Sequence, residues 1–142
     1  MRRFLPVIFF SLALSAAEPL TDADLLQPQQ VSSTLKGFLV IHVGFEALYH
    51  AAHVQGSVYA GPASKAEGLE ALKREVAGQP RMREILLYCG CCPWDKCPNI
   101  RPAVALLRQM GYTNVKAMMV PVNLKSDWVD KGYPTDKQTD IP

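Results

Sequence analysis

Residues 84–111 read EILLYCGCCPWDKCPNIRPAVALLRQMG, and this stretch carries the architecture of the chain. Glu84 to Tyr88 reads as a strand whose Ile85-Leu86-Leu87-Tyr88 form an apolar run without alternation, the pattern of burial on both faces. From Asn99 to Met110, the residues Ile100, Ala103, Val104, Leu107 and Met110 recur at helical spacing and form one apolar stripe. Asn99 suits an N-cap, Pro102 is tolerated in the first turn, and Gly111 stops the helix. Between strand and helix lie all four cysteines of the protein: Cys89, Cys91, Cys92 and Cys97. A buried strand, a loop and an amphipathic helix make up the repeating unit of a parallel α/β sheet. In such sheets ligands gather beyond the carboxyl ends of the strands, where this loop begins.

Working outward, the same alternation continues. Residues 18–28 are polar with two prolines and read as an extended lead-in. Residues 29–37 read as a short helix ended by Gly37, and Phe38 to Val43 as a second strand buried on both faces. Phe45 to Ala52 is short and helix-like, and His53 to Ala60 reads as a brief strand. Ala63 to Ala77 is an amphipathic helix with Leu69, Leu72 and Val76 on one face. Beyond Gly111, Val115 to Val120 predicts a further strand that includes Met118 and Met119. Leu124 to Lys131 predicts a last helix closed by Gly132. The expected fold is α/β, with a mostly parallel central sheet and helices on both faces.

Met1-Arg2-Arg3, the apolar run Phe4 to Leu14 and Ser15-Ala16-Ala17 have the form of a secretory signal, with cleavage before Glu18. Eleven apolar residues are too few for a membrane span, which needs roughly 20. Residues 1–17 are therefore expected to be a signal peptide, and 18–142 a single exported domain in the periplasm or outside the cell. Two of the 15 basic residues are Arg2 and Arg3, so 18–142 carries 13 basic residues against 13 acidic. With that balance and no basic patch, no nucleic-acid partner is expected. No membrane association is expected once the signal is gone.

Export would place four clustered thiols in an oxidising compartment. Cys89 leaves the strand at a point where inward backbone N–H groups and a following helix dipole favour a thiolate. Cys91, Cys92 and Cys97 could close a loop disulfide, as Cys92–Cys97 or Cys91–Cys97, with Cys89 left free. Zinc is disfavoured, because C-x-C-C-x4-C crowds the ligands onto one short loop, and no metal or other cofactor is expected. Thiolates nevertheless suit soft ions such as Cu(I). Trp94 reads as loop packing or a lid, and His42 as the end of a buried strand near the site rim. His50 reads as exposed on its helix.

Several segments taken in order resemble the rhodanese-like (sulfurtransferase) domains, over roughly residues 24–134. They are Phe38 to Val43, "AAHVQGSVYA" with His53 and Gly56, "EILLYC", "ALLRQMGYTNVKAM" and "DWVDKGYP". The resemblance implies the three-layer rhodanese-like fold, with Cys89 as nucleophile. It also implies sulfane-sulfur transfer from a small anionic donor, thiosulfate-like or a persulfide, to a thiol or other nucleophile. Gly90, Cys91, Cys92, Trp94, Lys96 and Arg101 then become candidates for substrate contact in the active loop. Cys91, Cys92 and Cys97 become candidates to resolve a persulfide on Cys89. The alternative is an exported thiol–disulfide or soft-metal-binding module built on the same four thiols. The chain departs from the family where His42 and Gly44 replace its usual Asp and Arg. It also has a longer loop between nucleophile and helix, with no clear counterpart of the loop-closing arginine.

Overall fold

The computed structural model describes residues 18–137. The expected signal peptide and residues 138–142 lie outside them. Five parallel strands form the central sheet: β1 (Leu25–Leu26), β6 (Val115–Met118), β5 (Ile85–Tyr88), β2 (Leu39–His42) and β4 (Val58–Tyr59), in that spatial order. The cysteine-bearing strand β5 is central. It pairs with β2 from Leu39↔Ile85 to His42↔Tyr88, and with β6 from Ile85↔Val115 onward. A small antiparallel ribbon joins β3 (His53–Val54) to β7 (Thr135–Asp136).

Because side chains alternate along a strand, each central strand feeds two cores. Ile41, Val43, Ile85, Leu87, Val115 and Ala117 point to one side. There they meet Leu72 and Val76 of α3 (Ala66–Val76), and Ala103, Val104 and Leu107 of α4 (Ile100–Gln109). Val40, Leu86, Tyr88 and Met118 point to the other side, where they meet Val31 of α1 (Pro28–Thr34), Val54 and Trp128. This double burial is why neither Phe38 to Val43 nor Glu84 to Tyr88 alternates in sequence. The expected three-layer α/β architecture is the observed one.

Three local expectations are corrected, and one element is added. The lead-in 18–28 contains the edge strand β1, tied down by Asp24 against Arg108 (2.9 Å) and by Lys116 Nζ on the Ala23 carbonyl (2.7 Å). His53 to Ala60 is two strands in two sheets, because Gly56 takes φ +73 and turns the chain between β3 and β4. Residues 124–131 form only one wide helical turn, Lys125–Val129, which buries Trp128. The ribbon strand β7 lies in a stretch too polar and too short for periodicity to reveal.

Gly68 sits inside α3, where glycine costs about 1 kcal/mol relative to alanine. Its reason is contact: a Cβ there would strike the Pro62 carbonyl. We expect Gly68→Ala to lower stability in urea denaturation despite its better helix propensity, whereas a contact-free site would gain.

Candidate active site

Cys89 is the first residue past β5. Its neighbour on β2 is held by the Val43 N–H donating to the Tyr88 carbonyl at 2.9 Å. Alternation turns Tyr88 to one core and Cys89 to the other, so the Cys89 sulfur lies almost wholly inside, 3% exposed. Gly44 makes the room for it. A Cβ on Gly44 would begin 2.8 Å from Cys89 Sγ and 3.0 Å from His42 Cε1. No larger residue fits that position with Cys89 and His42 where they are.

The loop folds three sulfurs together. Cys89 Sγ lies 3.4 Å from Cys91 Sγ, which lies 3.0 Å from Cys92 Sγ. The sulfurs of Cys89, Cys91 and Cys97 all fall within 4.8 Å of one another. All four are free thiols, so neither expected loop disulfide is formed. Among the described residues, Cys89, Cys91 and Cys97 are the one group of side chains arranged to hold a metal ion. An all-thiolate set suits a soft one.

Burial and the neighbouring Cys92 push the Cys91 thiol up to about 11. Cys97 is also pushed well up, by its hydrogen bond to Cys89 and by burial, although the N–H groups of Asn99 and Ile100 point at its sulfur. The start of α4 thus serves Cys97, whereas the sequence suggested that it would serve Cys89. Both neighbours of Cys89 are protonated at neutral pH and can share an S–H with an anionic sulfur.

Asn99 has a function its sequence position concealed. It stands at the N-cap position but makes no side-chain cap. Instead Oδ1 accepts the Ser64 N–H at 2.9 Å, and Nδ2 donates to Cys89 Sγ at 3.5 Å. The same residue types would be expected for a cap or a sulfur contact, so only the tertiary structure separates the two.

The other candidates fall into two groups. Gly90 stays at the site: its carbonyl accepts the Leu124 N–H at 3.2 Å, and its Cα faces Leu124 and His42. Gly90 and Cys91 line a cleft of about 520 Å³ with Leu48, Ala52, Leu124 and Val129. Lys125 and Lys137 also reach this cleft, but Lys125 is paired with Asp130 at 2.8 Å. Trp94 and Arg101 are directed to each other, the guanidinium 5.9 Å from the indole ring, and they border a groove with Pro19 and Leu20. Arg101 also donates to the Asp95 carbonyl at 2.8 Å. Lys96 is exposed. Trp94 therefore packs the loop and does not roof Cys89, and Arg101 is committed elsewhere.

His42 closes the floor. Its ring is fully buried, edge-on to Tyr88 with centroids 4.9 Å apart. His53 stacks on Tyr49 at 3.9 Å and keeps its Nδ1 on the Tyr49 carbonyl. His50 is exposed beside Glu46, as expected.

No protein-family profile matches the chain, and no curated protein matches it either. Solved structures do match. The rhodanese-like domain of Alr3790 from Anabaena superposes with TM-score 0.58 at 19% identity, covering 84% of each chain. BH2092 from Bacillus halodurans gives 0.60 at 16% identity, covering 82% of each. A rhodanese-related protein from Thermoplasma volcanium gives 0.55 at 16% identity, over 78% of this chain and 95% of the other. The chain has the rhodanese-like fold. At the loop position where that fold leaves its central strand, this chain places Cys89.

Burial, with His53 adding to it, lowers the His42 pKa from 6.5 to about 4. The unfolded chain therefore takes up a proton that the folded chain refuses. Stability is complete above pH 6.5, falls as the pH drops toward 4, and is constant below for this residue, a loss of about 3 kcal/mol. The denaturation midpoint of the wild type should fall relative to that of His42→Phe as the pH drops through this window.

Proposed function

We propose that the protein is a sulfane-sulfur transferase that carries its cargo on Cys89, acting after export. The observation that carries this reading is the seat of the Cys89 sulfur: at the end of the central strand, enclosed, and met by Asn99 Nδ2 and two protonated thiols. A ring of neutral donors already in place around the closed seat stabilises an anionic sulfur there.

The Cys89 thiolate attacks the sulfane sulfur of a donor. The bond from that sulfur to the donor breaks, and the leaving group, a thiolate or sulfite, departs with the electron pair. Cys89 then holds a persulfide. An acceptor nucleophile attacks the outer sulfur, and the Cys89 thiolate leaves. Cys91 opens a side route, because its thiolate can attack the inner sulfur to form a Cys89–Cys91 disulfide and expel hydrosulfide. With Cys91 pushed up to about 11, that route is slow at neutral pH and the persulfide is conserved.

A second reading rests on the three-sulfur group within 4.8 Å: capture of a soft monovalent metal by Cys89, Cys91 and Cys97. Competition for Cu(I) against a coloured chelator separates the two. Metal capture requires one Cu(I) per chain, lost in Cys97→Ser.

For transfer, intact mass after anaerobic incubation with thiosulfate or an organic persulfide should show one added sulfur. It should be absent in Cys89→Ser and kept in Cys97→Ser; no addition to the wild type refutes the transferase reading. In the loaded protein, sulfide release should rise about tenfold per pH unit between 7 and 10, tracking the thiolate fraction of Cys91. Cys91→Ser should abolish that rise.

A further inference from the structure

His42 contains the one buried side-chain nitrogen or oxygen among the described residues without a hydrogen-bond partner: Nε2. A buried polar group left unpaired costs about 1–3 kcal/mol, so its persistence asks for a reason. The state of the ring follows from its other nitrogen. Nδ1 faces the backbone N–H of Gly44 at 3.3 Å, and an amide N–H can only donate. Nδ1 is therefore the bare acceptor, and in the neutral ring the proton sits on Nε2. The orphan is a donor.

Two glycines mark where it lies. The point where a Gly44 side chain would begin lies 2.8 Å from Cys89 Sγ and 3.6 Å from His42 Nε2. The point where a Gly90 side chain would begin also lies 3.6 Å from Nε2. Nε2 thus lies near the Cys89–Gly90 junction. The groups packed around the ring are Tyr49 of α2 (Glu46–Ala51), Tyr59 of β4 and Tyr88 of β5, with His53 behind. None accepts the Nε2 proton.

We propose that His42 Nε2–H is the hydrogen-bond donor for the outer sulfur of a Cys89 persulfide, replacing a cation in that task. The proposal rests on the transferase reading above. It accounts for three observations together. The orphan donor gains its partner only when Cys89 is loaded. Gly44 and Gly90 put no side chain between Nε2 and the Cys89 sulfur. Arg101, the first arginine after Cys89 in sequence, is committed to Trp94 and the Asp95 carbonyl. A neutral donor matches the single charge of a persulfide, and burial keeps the ring uncharged throughout the neutral range.

The test loads the reduced wild type, His42→Gln, His42→Asn and His42→Phe with glutathione persulfide under anaerobic conditions. Intact mass then follows loss of the added sulfur to a fixed concentration of cyanide, and thermal melting is recorded for each variant. Glutamine places an N–H₂ near the position of Nε2, whereas asparagine is too short to reach it. The Gln variant should keep the sulfur with a half-life within about twofold of the wild type, and Asn and Phe should lose it at least tenfold faster. A half-life in Asn or Phe equal to the wild type overturns the proposal, as does a Gln variant as labile as Asn. A purely structural role would instead make lability follow melting temperature across all three variants. If the wild type itself takes up no sulfur on Cys89, the transferase reading fails, and this proposal fails with it.

Discussion

The site depends on the register between β2 and β5. Pairing His42 with Tyr88, and extending it by the Val43 N–H to the Tyr88 carbonyl, fixes two consecutive residues on each strand at the sheet's carboxyl end. Tyr88 and His42 fall on one face, and Cys89 and Val43 on the other. Slipping either strand by one residue would exchange the faces and bury the wrong side chains. The register is held by double burial. Leu86 and Tyr88 fill one core while Ile85 and Leu87 fill the other, so no alternative pairing satisfies both. Tyr88 extends the constraint sideways, its hydroxyl meeting the Val54 N–H and the Ser57 hydroxyl, which ties the β3 turn to the central strand.

On this frame the loop resolves four chemically identical residues into different environments. Cys89 is enclosed and contacted by an amide. Cys97 is enclosed at the first turn of α4. Cys91 lines the cleft and Cys92 lies beside it. The electrostatic character of the site is that of neutral donors in a low-dielectric setting, where each hydrogen bond counts for more than in water. The charged side chains of the loop, Asp95, Lys96 and Arg101, lie at its outer turn or on Trp94.

Much of the fold was legible in residues 84–111 because burial on both faces leaves unbroken apolar runs and amphipathic helices leave stripes. Cys89 was legible because a strand end followed by a helix start is a position with chemical meaning. What stayed hidden was set by contacts between distant segments. Asn99 reads as a cap until Ser64 and Cys89 are seen on either side of its amide. His42 reads as a strand end until its unpartnered Nε2 is found beside Gly90. β1 and β7, two residues each, are held by neighbours and side-chain ties, with no pattern of their own. The helix-dipole argument was sound in kind but went to the wrong sulfur, since the loop is long enough for Cys97 to reach the first turn of α4 before Cys89 can.

The near-complete enclosure of Cys89 also makes its loop a door. A sulfur 3% exposed meets a reagent only when residues 90–97 swing away from the sheet. Few backbone bonds hold them shut: Trp94 to the Val120 carbonyl, and Leu124 to the Gly90 carbonyl. Local opening of such a segment takes only part of the free energy of unfolding the domain. Labelling rates at Cys89 thus report how often that door stands open as much as how nucleophilic the thiol is. Oxidants too bulky to slip in before it closes never reach the sulfur.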